Sequence, residues 1–251
     1  MKLTIATVCY NAEKTIENTM KSVLGQTYQD MEYLIIDGKS NDRTLELIRF
    51  YQNDSRVKII SEKDSGLYDA MNKAANMCRG DYILYMNSGD IFADEQVLAD
   101  VANCLDSDIV YGNVVRIKQD GEHLEKYDGK HVVMRLLLMG KMICHQGMFT
   151  RADIMREYRF DEQYTITADY DFVMRAQKNR CSMRYVDRTI AVVDSVEGIS
   201  SQTKNNDIMR MEDDRSLKEN FPVWYYMIKM PKGIVRGFRR YFEYKETERR
   251  V

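Results

Sequence analysis

The stretch DYILYMNSGD, residues 81–90, carries an apolar run, Tyr82 to Met86, into a small polar turn that ends in a carboxylate. A buried strand that stops at Asn87-Ser88-Gly89-Asp90 sets an acid at a strand end, and the small residues beside it leave room for a bulky anion. Magnesium and manganese are hard ions that prefer oxygen. They are often held by one or two carboxylates while substrate phosphates supply further ligands. Asp90 is therefore a candidate metal anchor facing a diphosphate. The plainer alternative is a turn residue, or a cap for a helix beginning near Asp94.

The elements that would position such an acid are legible around it. Leu3 to Cys9 (LTIATVC), Tyr33 to Ile36 (YLII) and Val57 to Ile60 (VKII) read as buried strands, as does Tyr82 to Met86. Between them run helical stripes: Ile16, Met20, Val23 and Leu24, stopped by Gly25; Leu45, Ile48 and Tyr51, with Ser40, Asn41 or Asp42 able to cap; and Leu67, Met71, Ala74, Ala75 and Cys78. Strand and helix alternating at this spacing mean βαβ units and a mainly parallel sheet. Ligands of such sheets bind beyond the carboxyl ends of the strands. The polar residues collect there: Tyr10-Asn11, Asp37-Gly38, the Glu62-Lys63-Asp64 group and Asn87 to Asp90. The turn after the first strand is CYNAEKT, with neither a GxGxxG fingerprint nor a P-loop. Phosphate would then be met by a metal and basic side chains.

Six blocks taken in order, TVCYNAEKTI, IIDGKSNDRT, SEKDSGLYDAMNKA, GDYILYMNSGD, HQGMF and TADYDFVMR, resemble the family 2 glycosyltransferases. The resemblance implies a glycosyltransferase A-type fold: one Rossmann-like α/β domain with a mixed, mostly parallel sheet flanked by helices. It also implies inverting transfer of a sugar from a nucleotide-diphospho donor, most simply UDP-linked, with Mn2+ or Mg2+. The loop Thr7 to Asn11, with Thr7, Cys9, Tyr10 and Asn11, looks like the wall for the nucleotide base. Asp37 looks like the carboxylate that contacts uracil or ribose. Lys63, Asp64, Asp69, Asn72 and Lys73 look like the flank of ribose and diphosphate, with Asn87 and Ser88 in the diphosphate turn. Asp90 corresponds to the last acid of the metal motif, and His145 is a second candidate for metal or acceptor. Asp169 corresponds to the catalytic base, which must take a proton from the acceptor hydroxyl on the face opposite the leaving diphosphate. Two positions depart from the pattern: Gly89 replaces an acid of the metal motif, and Ala168 replaces a Glu before the base.

Each of these residues has a structural alternative. Asp37-Gly38 suits an ordinary turn, Asp69, Asn72, Lys73 and Asn76 a solvated helix face, Asp169 a helix N-cap, and His145 a satisfied core position. Asp171 and Arg175, at i and i+4, suit a surface pair. Cys144 beside His145 is not a nucleophile pair, since neighbours on a strand point to opposite faces.

Further along, Asp108 to Arg116 reads as a strand, 117–131 as a polar loop, Met134 to Met139 as apolar, and Asp169 to Gln177 as the start of a helix. The expected organisation is a catalytic domain over 1–205, with a nucleotide-binding half (1–115) and an acceptor half (116–205), then a helical basic and aromatic extension over 206–251. The 251 residues are 44% hydrophobic and 30% charged, an ordinary globular balance. A net charge of −2 argues against nucleic acid. Residues 222–251 carry 8 Lys/Arg and 3 Asp/Glu, a net of +5, which leaves −7 on the rest. Trp224, Tyr225, Tyr226, Phe238 and Phe242 interleave with Lys229, Lys232, Arg236, Arg239 and Arg240. Segment 222–242 is thus a candidate membrane-surface contact, which would suit a glycan or lipid-linked glycan acceptor at the cytoplasmic face of the inner membrane. A helix packed on the body is the alternative. Five cysteines without CxxC spacing argue against a disulfide framework and fit a cytoplasmic setting. KLTIATVCYNAEKT turns polar too soon for a signal peptide, and no apolar run reaches the roughly 20 residues that span a bilayer. Two rival functions fit parts of the pattern. A sugar nucleotidyltransferase should carry a Gly-rich basic loop where CYNAEKT stands. A catalytically degenerate sugar- or nucleotide-binding scaffold is favoured by Gly89 and Ala168.

Overall fold

The computed structural model describes residues 1–118, 120–125, 143–195 and 205–229. The expected alternation is present in its first part: β1 (Leu3–Cys9), α1 (Ile16–Leu24), β2 (Met31–Asp37), α2 (Thr44–Arg49), β3 (Val57–Ser61), α3 (Leu67–Met77) and β4 (Tyr82–Tyr85). β1 pairs in parallel with β2 on one side and β4 on the other, and β2 with β3. β1 and β2 are buried at every position. That accounts for their near-continuous apolar sequences, since a strand covered on both faces has no solvent side to alternate with. The polar exceptions satisfy one another, as Thr4 Oγ1 does by donating to Glu32 Oε1 at 2.6 Å. In this register Cys9 lies beside Asp37 and Asp37 beside Ser61, so three carboxyl ends form one row.

The rest of the chain extends the sheet with β5 (Ile91–Phe92), β6 (Ile109–Lys118), β7 (Gly121–Glu125), β8 (Met148–Arg151) and β9 (Met183–Asp194). Helices α4 (Val97–Ala102), α5 (Ala152–Tyr158), α6 (Ala168–Lys178), α7 (Asn206–Asn220) and α8 (Pro222–Lys229) complete it. The order is β3-β2-β1-β4-β8-β6-β9-β5, with β7 beside β6. β8 runs antiparallel to both its neighbours, and β6 and β9 are parallel. The sheet is the expected mixed one, parallel from β1 to β4.

The polar loop expected over 117–131 is corrected. β6 runs on to Lys118 and turns back as β7, with Lys118 facing Gly121. Gly121 has φ +122°, a region open to glycine, and Asp120-Gly121 is a hairpin signal that the polarity of the segment conceals. The Met134–Met139 segment lies outside the described residues, as does 230–242 of the candidate membrane contact over 222–242. The Asp171–Arg175 pair is also corrected. Arg175 Nε does donate to Asp171 Oδ2 at 2.6 Å, but Asp171 is buried and also accepts from Ser216 Oγ (2.7 Å) and Asn220 Nδ2 (3.2 Å) of α7. With Tyr170, Met174 and Leu217 packed between them, α6 and α7 are joined side to side. Among the described residues no helix is long and apolar enough to cross a membrane.

Candidate active site at the strand ends

A cleft of about 1260 Å3 opens over the carboxyl ends of β1 and β4. Its floor is the turn that the sequence singles out. Asp90 N–H donates to Asn87 O at 3.0 Å, which closes the turn. Gly89 has φ +103°. A side chain there would be strained, so the glycine that replaces an acid is what this turn requires. Asp90 is buried and accepts from Gln146 Nε2 at 2.7 Å. Burial pushes its pKa up to about 6, and Gln146, His145 and Arg116 oppose the shift. Asp90 does not cap a helix: the strand β5 follows it, and the residue before α4 is Gln96.

His145 opens a single 3-10 turn, His145–Gly147, rather than lying on a strand. Asn87 Nδ2 donates to His145 Nε2 at 3.0 Å. In the neutral ring the proton is then on Nδ1, which donates to Asp169 Oδ2 at 2.9 Å. Asp169 is the second residue of α6, not its cap, and its Oδ1 accepts from Tyr170 N–H at 3.0 Å. One hydrogen-bonded chain thus joins the turn after β4 to the carboxylate predicted as the base. Among the described residues Asn87 Oδ1 is buried without a hydrogen-bond partner.

The other predicted residues divide into two groups. Cys9, Tyr10, Asn11, Asn87, Ser88, Asp90, His145 and Asp169 line the cleft. Asn11, at φ 50°, is locked by accepting from Asn41 N–H (2.8 Å) and donating its own N–H to Ser40 Oγ (2.9 Å). Ser88 Oγ shares a hydrogen bond with Thr15 Oγ1 at 2.9 Å. Burial raises the Cys9 thiol far above its usual range. Thr7 does not reach the cleft. It is buried, donating to Met86 O (2.6 Å) and sharing a bond with Tyr33 Oη (2.8 Å). Asn72, expected to flank the ribose and diphosphate, is instead buried and clasps Phe160 O and N–H, both at 2.9 Å. Asp37, also buried, accepts from Ser40 Oγ (2.5 Å) and Ser61 Oγ (2.6 Å), and so shapes the loop beside the cleft. Lys73 is held by Asp64 (2.5 Å), Glu62 (3.1 Å) and Asp69 (3.4 Å), while Lys63 is exposed and offers Lys73 its carbonyl at 3.1 Å. Burial lifts the Asp64 carboxyl despite Lys73. A Cβ built at Gly38 would stand 3.1 Å from Asp64 Oδ2 and 3.4 Å from Tyr10. That glycine lets the Tyr10 ring and the Asp64 carboxylate close on the turn after β2.

Several residues were not anticipated. Arg116 and Lys118 reach the cleft from the β6–β7 hairpin, and Gln146 comes with His145. Tyr68, in the YDAMNKA block, donates its hydroxyl to Ile166 O. Asp213 on α7 has its carboxyl lifted to about 6 by burial and then by Asp169 and Glu212, against a hydrogen bond from Thr167. Among the described residues no cluster of three or more His, Cys, Asp or Glu surrounds a metal position. Both ring nitrogens of His145 are engaged, by Asn87 and Asp169, so the donors left for a metal are the Asp90 carboxylate and the Asn87 oxygen, a set that fits a hard divalent ion keeping most of its ligands on a bound diphosphate.

Residues 4–181 match the family model for glycosyl transferase family 2. A PGL/p-HBAD biosynthesis glycosyltransferase of Mycobacterium tuberculosis is 26% identical over 208 residues, 80% of this chain and 79% of that protein. A chondroitin synthase of Escherichia coli is 32% identical over 171 residues, 66% of this chain but 25% of its own length. Among solved structures, S. aureus TarS 1-349 in complex with UDP-GlcNAc superposes with a TM-score of 0.69 at 20% identity, covering 90% of this chain and 73% of that one.

Proposed function

The chain belongs to glycosyl transferase family 2, and on that premise we propose that it transfers a sugar, with inversion, from a nucleoside diphosphate to a hydroxyl of a glycan or lipid-linked glycan. The single observation that carries this reading is the chain Asn87–His145–Asp169, which ties a carboxylate to the donor-side turn across one cleft. UDP is the first donor to test, because a structural neighbour was solved with UDP-GlcNAc.

The chemistry follows from the positions. The nucleobase lies in the cleft against the loop Cys9 to Asn11. The diphosphate lies over the turn Asn87 to Asp90. An acceptor hydroxyl near Asp169 gives its proton to that carboxylate as its oxygen bonds to the anomeric carbon. The bond from that carbon to the diphosphate oxygen breaks, and the nucleoside diphosphate leaves on the opposite face. Donating Nδ1–H to Oδ2, His145 holds the carboxylate in place, as the Tyr170 N–H does at Oδ1. Mn2+ or Mg2+, held through Asp90 with Asn87, would neutralise charge on the departing diphosphate. Exposed Val223, Tyr226, Met227 and Ile228 on α8 support contact with a membrane surface that presents a lipid-linked acceptor from the cytoplasmic side.

The test is calorimetric titration of UDP, GDP, CDP and dTDP with and without manganese, followed by donor turnover in Asp169→Asn. Metal-dependent binding of one diphosphate, with turnover lost and binding kept in the variant, supports the proposal. Binding of none of the four would sink it. Equal turnover in parent and variant would remove Asp169 as the base, whereas a parent that binds the diphosphate without ever turning the donor over would make a degenerate scaffold the better account.

A further inference from the structure

The loop that carries the base is held by a residue 43 positions further along the chain. Glu212, on α7, takes three consecutive backbone N–H groups: Thr165 N–H to Oε1 at 2.6 Å, and Ile166 N–H (3.0 Å) and Thr167 N–H (2.9 Å) to Oε2. Thr167 Oγ1 adds a fourth donor at 3.2 Å. These groups sit immediately before α6. The N-terminal N–H groups of a helix have no partner within it, and its dipole favours negative charge there. A carboxylate accepting several N–H bonds forms charge-assisted bonds about twice as strong as neutral ones. On the other side, Tyr68 donates its hydroxyl to Ile166 O. Thr165, Ile166 and Thr167 themselves line the cleft.

We propose that Glu212 is the positioning residue for Asp169. Resting on the glycosyltransferase reading above, the proposal makes α7 part of the catalytic apparatus rather than an appendage. Glu212 does not face the donor turn at Asn87 to Asp90. Its partners are the backbone two to four residues before Asp169. Removing it frees the loop on one side, and among the described residues Asp169 is left with His145 as its hydrogen-bonded anchor outside α6. A displacement of about 1 Å at a reacting group can cost on the order of 100-fold in rate. Donor binding rests on β1 and β4 and should not feel the change.

The experiment compares parent, Glu212→Ala, Glu212→Gln and the control Asp207→Asn, whose side chain is 93% exposed on the same helix. It measures kcat for donor hydrolysis, nucleoside diphosphate affinity, and amide hydrogen exchange in the peptide spanning residues 165–167. The expected result is a kcat about 10- to 100-fold lower in both Glu212 variants, with affinity within about twofold of the parent. Exchange over 165–167 should be faster, and Asp207→Asn should match the parent throughout. Parental kcat in Glu212→Ala despite faster exchange overturns the positioning role. Unchanged exchange overturns the clamp itself. Loss of affinity in step with kcat overturns the proposal in favour of general unfolding. A parent that binds a nucleotide sugar but never turns it over overturns the glycosyltransferase reading and this proposal together, whereas turnover equal in parent and variant overturns this proposal alone.

Discussion

Replacing Asp90 by Asn should stabilise the protein while removing its metal response. Asp90 is 5% exposed, and burial pushes its pKa up from 3.8 to about 6. An acid whose pKa is raised in the folded state binds more protons folded than unfolded, so ionising it works against the fold. The penalty is absent below about pH 4, grows between about pH 4 and pH 6, and is complete above that. A shift of about 2 units at 1.36 kcal/mol each gives a cost of about 3 kcal/mol at pH 8. Asn keeps an oxygen for Gln146 Nε2 but carries no charge. Asp90→Asn should therefore gain about 3 kcal/mol at pH 8, or roughly 6 to 12 °C in Tm for a chain of this length, and little near pH 4. Thermal melts of both proteins in chelator, from pH 4.5 to 8, read this directly. Calorimetry of UDP with and without manganese then reads the functional loss, a stability–function trade. An equal or lower Tm for the variant at pH 8, or a gain that does not shrink as the pH falls, would refute the argument that Asp90 is ionised against its surroundings.

Three further outcomes are expected. Gly38→Val should destabilise the protein by about 1 to 3 kcal/mol, because its Cβ starts 3.1 Å from Asp64 Oδ2 and 3.4 Å from the Tyr10 ring; urea unfolding checks it. Lys73→Met should destabilise by about 1 to 3 kcal/mol, since Asp64, Asp69 and Glu62 lose their shared cation, and urea unfolding measures it. Tyr68→Phe leaves the buried Ile166 carbonyl without its donor, at a cost of about 1 to 3 kcal/mol, and kcat should fall while donor affinity holds.

What was legible in the sequence is what local patterns encode. β1 to β4 announce themselves because strands covered on both faces are written almost wholly in apolar residues, and the helices between them keep a 3.6-residue stripe. The ends of those strands then narrow the search for a site to a few polar turns, and Asn87, Asp90 and Asn11 all reach the cleft. The second half was harder because β5 and β8 have two and four residues, too few for a period to show, and the β6–β7 hairpin is polar because it projects over the cleft. The residues misplaced among the donor contacts share a cause. Thr7 and Asn72 are polar at suggestive positions, but their polarity is consumed by partners distant in sequence, at Met86 and Phe160. A side chain's type states what it can bond, not whether the fold has already bonded it. Glu212 shows the converse. Its ligands are backbone N–H groups, present at every residue but proline, so neither MEDDR nor TIT carries any sign of the other. Only the packing of α7 on α6 selects which carboxylate meets which amides. That packing places Glu212 against the residues just ahead of Asp169.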